Sequence, residues 1–114
     1  MNAFRALLTV IFAVILVYTV IVIGNHGMNL FAIFFGDMAK LNWPGQFNLD
    51  FFCMLILSAT WTAWRNEFSP AGLGLGLLAL NFGAPFLCAY LLILSFKTDG
   101  DVKRMLLGDR RATA

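Results

Sequence analysis

Polar and apolar positions divide this chain into three long apolar blocks and one short one, separated by breaks rich in glycine, asparagine and proline. Residues 4–23 read FRALLTVIFAVILVYTVIVI. The uninterrupted apolar run is about 18 residues, which at 1.5 Å rise per residue approaches a hydrocarbon core of roughly 30 Å. Its β-branched residues favour a strand in water. In lipid the backbone must satisfy its own polar groups within the segment, and that predicts a helix. Arg5 ahead of the run raises the rival reading of a cleaved signal peptide. The run is longer than a signal core and no small-x-small site follows it, which favours a retained span.

Gly24-Asn25-His26-Gly27 is expected to end this helix. The short block, residues 28–41, cannot span. Phe31, Phe34, Phe35 and Met38 share one side at helical spacing, while Asp37 and Lys40 are polar, as in an interfacial or re-entrant helix. A lid over a site between the spans is the sharper alternative. Trp43-Pro44-Gly45 is expected to stop it, with Trp43 in the headgroup zone.

A second span is predicted over 48–64, with Asn48 as its N-cap and Asp50 in the first turn, where the helix dipole favours a negative charge. Asp50, Met54, Leu57, Trp61 and Arg65 fall on one face, with Ser58 and Thr62 on a neighbouring strip. That face is expected to meet other helices, and Trp61, Trp64 and Arg65 to anchor the far interface. Glu67 and Arg65 read as a solvated pair of little worth.

Ser69-Pro70 signals the start of a third span over 73–96, antiparallel to the second because the link is short. Gly72, Gly76, Ala79 and Gly83 form a stripe of small residues that lets another helix approach closely. Pro85 cannot bond the carbonyl of Asn81, so a kink is expected there. The Asn81 amide then bonds a neighbour or its own loosened turn, or it lines a cavity. The segment 97–114, KTDGDVKRMLLGDRRATA, holds five of the eight Lys and Arg residues around the apolar knot Met105-Leu106-Leu107. It is expected to lie on a membrane surface or to be partly disordered.

These elements predict a single all-α transmembrane domain over 1–114, a three-helix bundle with one short interfacial or re-entrant helix. Composition agrees: 61% of residues are hydrophobic and 12% charged, against roughly 25% charged in a soluble domain. A net charge of +2 with no basic patch interleaved with aromatics gives no case for nucleic acid. Cys53 and Cys88 lie inside apolar blocks and read as small hydrophobes. His26 has no partner at metal-ligand spacing, so no metal site and no cofactor is expected. Three spans would put the termini on opposite sides. Arg5 and Arg65 on one side, against Lys40, Lys97, Lys103, Arg104, Arg110 and Arg111 on the other, then favour a cytoplasmic C-terminus.

The connector GMNLFAIFF, the FNLDFF that opens the second span, the WRNEF that closes it and the GAPFLCAYL of the third resemble a group of small, uncharacterised three-span membrane proteins of bacteria and plants. The resemblance covers residues 27–94. It implies a fold and no activity; the expected location is the bacterial plasma (inner) membrane.

Three classes of function fit the pattern. One is a non-enzymatic subunit that packs against a membrane-protein partner or itself in the bilayer, motivated by the small-residue stripe. Another is a homo-oligomeric transporter or channel lined by Asp50, Ser58, Thr62 and Asn81. The last is a membrane subunit holding haem, quinone or pigment through His26. No nucleophile–base pair is present, and Gly72-x-Gly74-x-Gly76 opens an apolar helix and not a phosphate loop. The packing reading is therefore expected.

Overall fold

A computed structural model describes residues 1–113; Ala114, the last residue of the basic tail, lies outside the described residues. All the regular structure in them is helical: α1 (Asn2–His26), α2 (Leu30–Ala39), α3 (Trp43–Arg65), α4 (Pro70–Phe82), α5 (Ala84–Lys97), α6 (Val102–Leu107) and α7 (Asp109–Ala112). The all-α class expected from the sequence is what is found.

α1 is the one described helix both long and apolar enough to cross a bilayer, with an 18-residue window of mean hydropathy 3.0. A signal sequence near an N-terminus can also meet that criterion of length and hydropathy. At 1.5 Å per residue, α1 is about 38 Å long and α3 about 35 Å. The molecule is 48 Å in its longest dimension.

Pro44 opens α3 instead of only stopping what precedes it. The Asn42 side chain accepts the Gly45 N–H at 2.9 Å, with Pro44 in the first turn, where a missing N–H costs nothing. Asn48 is therefore not a cap: its Nδ2 donates to the Phe34 carbonyl at 3.1 Å and ties α3 to α2. Asp50 lies well inside the helix, so the first-turn role expected of it is lost. α2 lies against this end of α3 through Phe34, Phe35 and Phe52, whose ring centroids are 5.2–6.2 Å apart. A Cβ on Gly45 would sit 2.3 Å from the Asp37 carbonyl oxygen, so the two backbones touch there.

The main departure from expectation lies in residues 73–96. They form no single helix with a kink. α4 ends at Phe82, Gly83 takes φ +60° and ψ −131°, and α5 starts at once with Pro85 in its first turn. L-residues rarely adopt that backbone conformation, and Gly adopts it freely. With the reversal made at Gly83, Pro85 sits where its missing N–H is harmless.

α4 runs antiparallel to α3 along the small-residue stripe, and α5 then returns parallel to α3. A Cβ on Gly76 would lie 3.1 Å from the Ala59 carbonyl oxygen, and one on Gly83 2.8 Å from the Phe51 ring. α4 and α5 are each about 20 Å long, short of the roughly 30 Å a span requires.

α1 packs on α5 near its own start. Leu8 is buried, Arg5 Nε donates to Ser95 Oγ at 2.9 Å and Arg5 Nη2 to the Ser95 carbonyl at 2.8 Å. The Arg5 guanidinium also lies 4.0 Å above the Phe96 ring. The Met1 side chain reaches Gly100. The start of α1, the end of α3 and the end of α5 therefore share one end of the molecule. Arg5, Arg65, Lys97, Lys103, Arg104, Arg110 and Arg111 are gathered there, seven of the eight basic residues, and Lys40 alone is at the other.

Gly83→Ala should destabilise the fold by about 1–3 kcal/mol, since it adds both backbone strain and a clash with Phe51. Pro85→Ala should change stability by less than about 1 kcal/mol, because no helix bond is lost at the first turn. Unfolding of the two variants in mixed detergent micelles checks the contrast.

Candidate functional site

The basic end is where side chains from distant parts of the chain converge. α3 brings Trp61, Trp64 and Arg65 to its last turn, and Asn66 caps it. Ser69 then caps α4, accepting the Gly72 N–H at 3.0 Å. On the other side, Asp101 caps α6 through the Lys103 and Arg104 N–H groups. Met105, in the apolar knot of the tail, is 3% exposed, so this segment is folded onto the bundle.

The contact is made by helix-end chemistry. The last carbonyls of a helix have no intrahelical partner and carry partial negative charge. Arg65 Nε donates to the Met105 carbonyl at 2.6 Å and Nη2 to the Arg104 carbonyl at 3.2 Å. Trp61 Nε1 donates to the Leu106 carbonyl at 3.0 Å. Arg65 is thus no free interfacial snorkel. It caps the end of α6.

Tyr90 of α5 joins the cluster, its hydroxyl oxygen accepting from Asn66 Nδ2 at 2.8 Å and from Arg65 Nη1 at 3.4 Å. Its ring packs on Trp61 and Phe86. Beyond the clamp, Arg111 lies 4.1 Å above the Trp64 ring and donates to the Trp64 carbonyl. Arg110 pairs with Glu67, so the expected Glu67–Arg65 pair does not form. Asp109 binds Arg104 at 2.9 Å, and that hydrogen bond, with its charge, raises the Arg104 pKa above the usual value. Two clefts flank the clamp, of about 280 and 240 Å³.

The residues singled out from the sequence do not gather at one cavity. Asp50 and Asn81 are exposed, and Asn81 Nδ2 bonds the Leu77 carbonyl of its own helix at 2.8 Å. Thr62 is fully buried and bonds the Ser58 carbonyl. The Ser58 hydroxyl is buried with no hydrogen-bond partner among the described residues. Gly72, Gly76, Ala79 and Gly83 are all buried, Gly76 and Gly83 against α3 and Gly72 against Asn66 and Ser69 of the link. Trp43 is exposed beside Phe47.

The face Asp50–Met54–Leu57–Trp61–Arg65 divides in two. Met54 and Leu57 are 63% and 70% exposed, and only Trp61 and Arg65 are engaged, by the tail. The packed face of α3 is instead Leu55, Ala59, Thr62 and Ala63, because that side carries the small residues α4 can approach.

Tyr90 and Asn66 were missed as members of a cluster, since nothing in their local sequence pairs them. The apolar triplet Met105-Leu106-Leu107 was the available signal, because three apolar residues among charges ask for burial. His26 is exposed at the opposite end, and no group of three His, Cys, Asp or Glu side chains that could hold a metal occurs among the described residues.

No family model matches this chain, and neither the curated proteins nor the solved structures hold a match to it.

Arg65→Gln should release α6 by removing two charge-assisted bonds, each worth about 1.5–3 kcal/mol. Amide exchange over residues 104–108 should then quicken by about tenfold or more. Glu67→Gln, at an exposed pair worth under about 1 kcal/mol, should leave that exchange nearly unchanged.

Proposed function

We propose that this chain is a small integral membrane protein whose role is to pack against a partner within the bilayer, as an accessory or assembly subunit and without catalysis of its own. The carrying observation is α1. Beyond Leu8 it has no buried residue, and apolar side chains from Val10 to Ile23 are exposed around its whole circumference, with Val14 65% and Tyr18 68% exposed. Water would penalise each such side chain by about 1.5–3 kcal/mol relative to burial. Lipid removes that penalty, and a neighbouring helix in the bilayer is the partner this surface suits.

In this reading α1 crosses the membrane, α3, long enough but less apolar than a lone span, crosses with it, and α4–α5 enter and leave from one side as a re-entrant hairpin. That replaces the continuous third span expected from the sequence. The hairpin's reversal at Gly83 lies against Phe51 and Leu55, with its backbone covered by protein as a non-helical turn in lipid requires. The basic end, with seven positive residues, faces the cytoplasm under the positive-inside rule, and both described ends of the chain lie there. A transport path receives no support within one chain, since Asp50, Ser58, Thr62 and Asn81 share no lining.

Two measurements test this. Cys53, exposed at mid-length on α3, should resist a charged maleimide in intact membranes and react once the protein is denatured in detergent. Labelling in the intact membrane would place α3 in water and end the reading. A photo-crosslinker at Val14 should trap a membrane protein in stoichiometric yield. Adducts with lipid alone would remove the partner role and leave the membrane placement.

A further inference from the structure

The smaller cleft beside the Arg65 clamp has a composition that the packing role does not use. It lies between the start of α4, the end of α5 and the tail, and its volume is about 240 Å³. Leu75, Leu94 and Tyr90 line it together with the cations Arg65, Lys97 and Arg104 and one carboxylate, Asp109.

Its charge is not balanced. Arg104 is neutralised by Asp109. Arg65 and Lys97 have no carboxylate within 4.0 Å among the described residues. A half-buried guanidinium and a lysine at one cleft, both without a counter-ion, attract an anion.

Its hydrogen bonding is also incomplete, and always on the donor side. A guanidinium has five N–H groups. Arg65 spends three of them on Met105, Arg104 and Tyr90, which leaves two, one on each Nη. The Tyr90 oxygen accepts from Asn66 and Arg65, and its own proton goes to no acceptor among the described residues. Spare guanidinium donors, an ammonium and a free phenol proton together suit the oxygens of a phosphate.

We infer that this cleft binds the phosphate of an anionic phospholipid headgroup. The inference rests on the membrane reading, since the site sits at the end where α4 enters and α5 leaves the bilayer. Size and lining select the lipid. The volume is below the roughly 300–1,000 Å³ of pockets that enclose a whole small molecule. It holds a phosphate and leaves the glycerol and chains outside the cleft. Basic pockets between membrane helices on the cytoplasmic side take anionic headgroups for this reason. Because Arg65 also holds α6, a bound headgroup would share the cation that fixes the tail.

Purified full-length protein in a neutral detergent, titrated with phosphatidylglycerol or phosphatidylcholine and read by native mass spectrometry, tests this. One phosphatidylglycerol should be retained in preference to phosphatidylcholine. Lys97→Gln and Tyr90→Phe should each weaken its retention by about fivefold. Lys103→Gln removes the same charge from the tail outside the cleft and should have little effect. Equal retention of the two lipids, or equal losses in Lys97→Gln and Lys103→Gln, overturns the site in favour of none or of diffuse surface charge. Displacement of the lipid by millimolar inorganic phosphate, with the same dependence on Lys97 and Tyr90, overturns it in favour of a free-anion site. Carbonate extraction of membranes holding the same protein separates the two levels. Protein that stays in the membrane and shows no lipid preference loses only the cleft, and protein that is released loses the membrane reading as well.

Discussion

The reversal at Gly83 is the constraint on which the rest of the molecule depends. It halves an apolar run that is long enough to cross a bilayer, laying the first half on α3 and sending the second back to pack on α1. Everything downstream follows from the direction α5 then takes. Its end meets the start of α1 through Arg5 and Ser95, and Tyr90 comes beside Arg65 and Asn66. The tail that follows is delivered to the end of α3, where its carbonyls find Arg65 and Trp61. Had the helix continued through Gly83, the tail and the clamp would lie at opposite ends of the molecule.

Close approach makes the reversal affordable in structural terms. Gly76 lets α4 lie on α3 at backbone contact distance, and Gly72 lets its first turn close onto Asn66 in the link, so the α3–α4 pair is held by dispersion. The same geometry explains why α3 turns Leu55, Ala59 and Ala63 inward and leaves Met54 and Leu57 outward. Small side chains on one helix select small side chains on the other. The larger apolar ones are left to face whatever surrounds the protein.

Much of the secondary structure was legible in the residues. The apolar run of α1, the Ser69-Pro70 start of α4 and the small-residue stripe are local features, and the chain is helical where they say so. Two things were not legible. Gly83 and Pro85 interrupt an otherwise unbroken apolar block, and a kink and a full reversal leave the same mark on sequence. Hydropathy cannot separate them, because both halves are equally apolar. The site was hidden for a different reason: its members, Trp61, Arg65, Asn66, Tyr90 and Met105, are spread along 45 residues of chain and meet only once α5 has turned back. Asp50 is the lone carboxylate of residues 48–64. With α3 beginning at Trp43, it is an exposed residue inside a helix.

The sidedness of the α4–α5 hairpin tests the central claim most directly. In a Cys53→Ala, Cys88→Ala background, single cysteines at Asn2, Asp99 and Lys40 can be labelled from either face of sealed vesicles with an impermeant reagent. Asn2→Cys and Asp99→Cys should label from the same face and Lys40→Cys from the opposite one. Labelling of Asn2→Cys and Asp99→Cys from opposite faces would mean that residues 73–96 cross the membrane as one span, and would contradict it.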